Sequence, residues 1–124
     1  MLAQAGMKEA QMQDKNNQAA VPPSQAIRLE TLVDYAAGAV VSRTLAKNTA
    51  GTLTLFAFDE GQGLSEHSAP FDAWVQVLDG TVELLIGGQK VMASIGETVL
   101  MPANIPHGLT AIKPFKMLLT MIRG

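Results

Sequence analysis

The chain carries two histidines, His67 and His107, and no cysteine. Imidazole holds divalent metals and moves protons near neutral pH, so any such chemistry centres on these two positions. The absence of cysteine excludes disulfides, thiolate metal sites and a cysteine nucleophile. Three carboxylates lie close to a histidine or to a turn. Glu66 is the neighbour of His67, and strand alternation sends it to the opposite face. Glu97 follows Gly96 in a turn and belongs in solvent. Asp72 stands in a loop position from which it can turn inward, which makes it the one candidate for a further ligand. The sole tyrosine, Tyr35, falls in a short helical segment ahead of both histidines. The seven methionines offer thioethers for copper(I), but methionine is a common adaptable filler of apolar interiors, and these are read as core.

The elements that must position these residues are strands. A length of 124 residues suits one domain with a hydrophobic core. The 9 basic and 11 acidic residues leave a net charge of −2 with no basic stripe, so neither nucleic acid nor a membrane is expected as a partner. "MLAQAGMKEAQMQDKNNQ" has no apolar segment with a basic flank, and no later apolar run has the length to span a bilayer. A cytoplasmic protein is expected. Residues 1–25, ending at Val21-Pro22-Pro23, read as an N-terminal tail or short helix outside the core. Residues 26–124 form the domain. From Ile27 onward, short apolar runs alternate with turn signals, the mark of an all-β sandwich or barrel. "AVVSRTLA", "TLTLFAF", "AWVQVL", "TVELLI", "KVMASI", "TVLMP", "HGLTAI" and "FKMLLTMI" read as strands, with a Gly-Gly hairpin between the fourth and fifth. Only "LETLVDYAAG" has helical character. Several strands are apolar on both faces, notably at Trp74, Leu78, Leu118 and Ile122, so a second subunit is expected to cover the outer one, giving a homodimer.

Two stretches carry a resemblance. "GQGLSEHSAPFDAWVQVLDG" resembles the first cupin motif, G-x5-H-x-H-x3-E-x6-G, with Gly61, His67 and Gly80 in place. "GETVLMPANIPH" resembles the second, G-x5-P-x4-H, with Gly96, Pro102 and His107 in place and Ala111 where an asparagine is usual. The resemblance runs from about residue 38 to 124 and is narrowest to small bacterial conserved-barrel cupins of uncharacterised function. It implies the cupin double-stranded β-helix, a conical two-sheet β-barrel or jelly roll with its site in the mouth. In cupins that site is usually a metal held by two histidines and a glutamate of the first motif and the histidine of the second. Carried onto this chain, those positions are His67, Ala69, Ala73 and His107.

Two ligands remain and two are methyl groups. Catalytic zinc is normally held by three protein ligands, and non-haem iron by two histidines and a carboxylate, so no resident metal is expected. Were a divalent metal bound, His67 and His107 would be its ligands. With His67 facing inward, alternation adds Ser65 and Ala69 from its own strand. Ala73, Val75 and Val77 follow from the next, and His107, Leu109 and Ala111 from another. Met117, Leu119 and Met121 come from the last strand, where Lys116 needs the solvent side, and Phe71 and Asp72 form part of the rim. Such a cup suits a small organic molecule with one polar or anionic group. The expected function is small-ligand binding at a degenerate metal site. Two alternatives stand beside it. One is a metal-dependent dioxygenase, isomerase or decarboxylase using His67, His107 and a further ligand; the other is a metal-free acid/base isomerase on the histidine pair. The fold does not choose among them.

Overall fold

β-Branched and apolar residues dominate the segments between turn signals, and in a computed structural model of the chain each such segment is a strand. The structure describes residues 12–14 and 21–123. Its strands are β1 (Met12–Asp14), β2 (Val40–Asn48), β3 (Gly51–Phe58), β4 (Gly63–His67) and β5 (Asp72–Asp79), followed by β6 (Thr81–Ile86), β7 (Gln89–Ser94), β8 (Thr98–Met101), β9 (His107–Ala111) and β10 (Phe115–Ile122). Eight of them coincide with the apolar runs read from the sequence. Strand β4 was hidden because Gly61, Gly63 and the polar residues around them resemble a connector. β1 lies in the expected tail, yet it pairs in parallel with β2, Met12 opposite Val40. An open sheet edge at β2 offers unpaired backbone groups, and three residues of any composition can use them. The β6–β7 turn is as read, with Gly87 and Gly88 both at positive φ (56° and 84°) in a two-residue hairpin.

Two sheets face each other, with strand orders β1-β2-β3-β10-β5-β8 and β4-β9-β6-β7. The β1–β2 pair apart, every pairing among the described residues is antiparallel. On the larger sheet the inward row alternates strictly: Thr52, Thr54, Phe56 and Phe58 on β3; Phe115, Met117, Leu119 and Met121 on β10; Ala73, Val75 and Val77 on β5. Val82, Leu84, Leu64, Leu109 and Ala111 meet them from the smaller sheet. Phe58 lies opposite Phe115 in register, with ring centroids 5.4 Å apart, and Phe56 stacks on Phe58 at 5.7 Å. Three large rings therefore close one end of the barrel. The other end of the same strands carries Thr52, Met121 and Ala73.

The outer face of the larger sheet is covered in part by the chain itself, which corrects the expectation that a second subunit must supply the whole cover. Val33, 2 % exposed, packs with Val41, Leu55 and Ala57, and Leu29, Leu32, Tyr35, Leu78 and Leu118 close around them. Within the segment expected to be helical, only Leu29–Leu32 form a turn of 3-10 helix. The strap is pinned instead by side chains. The Tyr35 hydroxyl donates to Asp79 Oδ2 at 2.5 Å, Lys116 Nζ donates to the Glu30 carbonyl at 2.7 Å, and Arg43 Nη1 donates to the Leu32 carbonyl at 3.0 Å. Burial first, then the Asp79 hydrogen bond and charge, hold the Tyr35 phenol well above its ordinary range, so it remains a donor. Lys116, expected on the solvent side, is half-buried with its ammonium 4.9 Å from the Tyr35 ring centroid. Trp74 (39 % exposed), Leu100 and Ile122 (53 %) lie beyond the strap's reach.

Candidate functional site

Antiparallel pairing decides which strand ends share an end of the barrel. β4 ends at His67, and the loop 68–71 delivers the chain to the start of β5 at Asp72. In register, Ala73 lies opposite Met121 near the end of β10, Met121 opposite Thr52 near the start of β3, and Ala73 also opposite Met101 at the end of β8. The loop after β8 then leads to His107, the first residue of β9, opposite both His67 and Ile86. Thr52, Met121, Ala73 and Met101 on one sheet and His67, His107 and Ile86 on the other thus ring the end of the barrel away from the phenylalanines. Two loop contacts close the ring, Asn104 N–H to the Ala69 carbonyl (2.7 Å) and Ala103 N–H to Asp72 Oδ1 (2.9 Å).

The histidines reach this end through a break in the pairing. β4 and β9 run Leu64 opposite Leu109 and then His67 opposite His107, so β4 spends three residues where β9 spends two. The extra residue of this bulge turns both Leu64 and His67 inward and leaves Ser65 and Glu66 exposed. Ser65, expected beside His67 by plain alternation, is therefore outside the site. Its carbonyl still contributes, accepting from His67 Nδ1 at 2.8 Å. His107 repeats the pattern, with Nδ1 3.1 Å from the Ile105 carbonyl. A carbonyl oxygen only accepts, so both rings carry their proton on Nδ1 when neutral, and each Nε2 presents a lone pair. The rings meet edge-on with centroids 4.8 Å apart at 66°. Both Nε2 atoms are buried without a hydrogen-bond partner.

His107 is only 2 % exposed. Its burial, and secondarily the charge that His67 would carry beside it, hold its pKa below the ordinary histidine value, against a smaller opposing effect from the Ile105 carbonyl. The unfolded chain therefore takes up this proton at a higher pH than the native one. Stability from the neutral ring is fully present above the unfolded value of about 6.5 and is lost as pH falls through the lower native value. Urea midpoints measured from pH 8 to pH 5 should be level and then decline below about pH 6.5. In His107→Gln the decline should be shallower. An equal decline in both proteins would assign the acid sensitivity elsewhere.

Of the other residues expected in the site, Ala73, Val75, Leu109, Met117 and Met121 are buried in the main core cluster, with Phe71 packed against it. Ala69 is half-buried in the loop. Asp72 departs from its expected role. Alternation through Ala73 places it on the outer face, where it is exposed and its carboxylate accepts the Ala103 N–H. It supplies no third ligand to the histidines. Among the described residues no group of three or more His, Asp or Glu side chains is arranged to hold a metal ion, so the donor set does not fit the four-ligand metal of the resemblance. Sequence reasoning missed Thr52, Met101, Ile86 and Arg123 at this end. The alternation of Thr52 and Thr54 with Leu53 and Leu55 was a usable signal for the first. Nothing local marked Arg123, whose guanidinium lies 5.3 Å from the centroid of the Phe71 ring.

Two antiparallel sheets facing each other, with the histidines of the two motif stretches together at one end, are the arrangement that the cupin resemblance implies. The family model for the Cupin domain matches residues 54–122, and the chain belongs to that family. A conserved protein of unknown function from Streptococcus pyogenes is 33 % identical, covering 85 % of this chain and 92 % of its own, with a TM-score of 0.81. A Cupin 2 conserved barrel domain protein from Leptotrichia buccalis is 36 % identical over 78 % of this chain and 47 % of its own (TM-score 0.76). A cupin superfamily protein from Desulfitobacterium hafniense, 23 % identical over 87 % of this chain and 99 % of its own, shares the fold with a TM-score of 0.81. No curated protein matches the chain. Among the described residues no helix is long and apolar enough to cross a membrane.

Proposed function

We propose that this cupin binds a small organic molecule at the His67–His107 pair, a family metal position reduced to two of its four ligands. The observation that carries the reading is the pair of buried, unpartnered Nε2 atoms on rings whose Nδ1 atoms are already committed. A buried polar atom left without a partner costs about 1–3 kcal/mol, and two side by side favour any ligand that satisfies both. Because the free atoms are acceptors, the ligand brings hydrogen-bond donors to them. This refines the sequence expectation of a polar or anionic group meeting the imidazoles. Val75, Leu109, Met117 and Met121 supply the apolar floor.

The test is long-range ¹H–¹⁵N NMR of the imidazoles during titration with a panel of small hydroxy, amino and amide compounds. A ligand that moves both Nε2 resonances, and no longer binds in His67→Phe or His107→Phe, supports the reading. Stoichiometric divalent metal in the purified protein, lost in His67→Ala, would replace it with the metal-dependent alternative.

The same reading includes a homodimer formed through the part of the outer face that the strap leaves bare. Trp74, Leu100 and Ile122 present exposed apolar surface there, and two-fold pairing is the commonest way to cover such a face. Light scattering at micromolar concentration should give twice the mass of one chain, and Trp74→Glu should give a monomer. A monomeric parent would remove the dimer from the proposal.

A further inference from the structure

The barrel end that holds the histidines has a second set of unused polar groups on the opposite sheet. Thr52 faces inward on β3, is 9 % exposed, and its Oγ1 is buried without a hydrogen-bond partner. It lines a cavity of about 40 Å³ together with Gly51, Met121, Phe71 and Arg123. That volume exceeds what one water needs, roughly 10–15 Å³ by the same kind of measure, and suits a group of about carboxylate size. Arg123 stands at the rim, its main chain tied to the Ala50 carbonyl at 2.8 Å and its guanidinium stacked over Phe71. Stacking occupies the face of a guanidinium and leaves the N–H groups on its edge available, which is the geometry that grips a carboxylate through two parallel bonds.

Register places this niche across the barrel end from the imidazoles. Met121, which lines it, lies opposite Ala73, and both belong to the core cluster against which Ile86, the partner of His107, also packs. The two groups of polar atoms are complementary in kind. The imidazoles accept, whereas Arg123 only donates and the Thr52 hydroxyl can donate. Facing sheets stand about 10 Å apart, so a ligand that reaches both groups needs a chain of only a few carbons.

We propose that Arg123 and the Thr52 hydroxyl form the second half of the site and take the carboxylate of a short hydroxy- or amino-carboxylic acid, whose hydroxyl hydrogen goes to one Nε2 of the His67–His107 pair or whose ammonium hydrogens go to both. This rests on the binding function proposed above and names the class of its ligand. An ammonium end satisfies both orphaned imidazole nitrogens, and a hydroxyl end satisfies one. The carboxylate end satisfies the orphaned threonine oxygen and neutralises the rim arginine.

The test uses three matched sets of probes with chains of two to four carbons: ω-hydroxy acids, the corresponding diols, and the simple carboxylic acids. Binding is followed by the imidazole Nε2 resonances and by the amide resonances of Thr52 and Arg123. The hydroxy acid of best-fitting length should bind at least about tenfold more tightly than its diol, the advantage expected of a charge-assisted pair. Arg123→Gln should remove that advantage by weakening the acid far more than the diol, and Thr52→Val should weaken the acid severalfold. Arg123 is exposed, so its variant is expected to fold, and an unchanged melting temperature verifies this. If diol and hydroxy acid bind equally, or if Arg123→Gln leaves acid binding intact while the imidazole signals still respond, the carboxylate subsite is wrong and the histidine site stands. If no probe moves the imidazole signals, or if binding survives His67→Phe and His107→Phe, the histidine site falls and the subsite with it.

Discussion

The double substitution Ala69→His with Ala73→Glu is expected to cost about 3–5 kcal/mol of stability without metal and to recover most of it when nickel, zinc or manganese is added. Ala73 is 1 % exposed and lies between Met101 and Met121 in register. A carboxylate brought there enters apolar surroundings between two methionines, and the added volume must be taken from the space beside them. The Ala69 position lies in the half-buried loop whose carbonyl accepts the Asn104 N–H, so an imidazole is tolerated there more easily. Together the changes restore the three-histidine, one-glutamate set that the first and second motifs otherwise carry. Metal at a thousandfold excess over its dissociation constant would return about 4 kcal/mol by mass action. Thermal melts of the parent, the Ala73→Glu single variant and the double variant, each with and without metal, separate the contributions. The parent should respond little and the single variant less than the double. A parent that gains as much as the double variant would show that two histidines already suffice.

Gly80→Ala should be the most damaging single exchange of a small residue for another. Gly80 joins β5 to β6 at φ +76°, and a β-carbon there would stand 1.9 Å from the Pro114 carbonyl oxygen and 2.8 Å from Phe115 Cα. Both neighbours are backbone. Phe115 is fully buried and begins β10, which pairs with β3 on one side and β5 on the other, so the obstruction is relieved only by moving a strand at the centre of the sheet. Strain of roughly 1–3 kcal/mol from the left-handed conformation and a similar amount from overpacking give an expected loss of about 3–5 kcal/mol. Gly61→Ala provides the control. Gly61 has a comparable φ of +83°, but its β-carbon would meet nothing within 4 Å. Urea denaturation should show a much larger fall in midpoint for Gly80→Ala, at similar m-values. Equal losses at the two glycines would remove the close approach to Pro114 as the reason for glycine in this turn.

The resemblance of residues 61–107 to the two cupin motifs led to the correct family, because glycines, a proline and histidines at fixed offsets reflect turns and strand ends that every such barrel needs. Alternation also placed the inward rows of β5, β9 and β10 correctly. Ala73, Val75 and Val77, then Leu109 and Ala111, then Met117, Leu119 and Met121 are all buried. Those assignments succeed because a strand's two faces are set by a period of two that each segment carries within itself. The Gly-Gly hairpin succeeds for the same reason, since left-handed backbone at consecutive positions is a local demand.

Ser65, Asp72, the strap and Arg123 belong to the other category. A bulge is a mismatch between two strands, so β4 alone gives no sign that Leu64 and His67 both face inward while Ser65 faces out. Asp72 looked free to turn toward the histidines until the β8–β9 loop supplied Ala103 N–H as its partner. The strap's cover over Leu78 and Leu118 depends on pairings such as Tyr35 with Asp79, separated by 44 residues, and Lys116 with the Glu30 carbonyl, separated by 86. The amino-acid order specified the strands, their faces, their turns and the presence of two imidazoles. Only the closed barrel decided that both Nε2 atoms are buried and unpartnered and that Thr52 and Arg123 share their end. Local periodicity acts along one segment, whereas a site is made where segments distant in the chain are packed against one another.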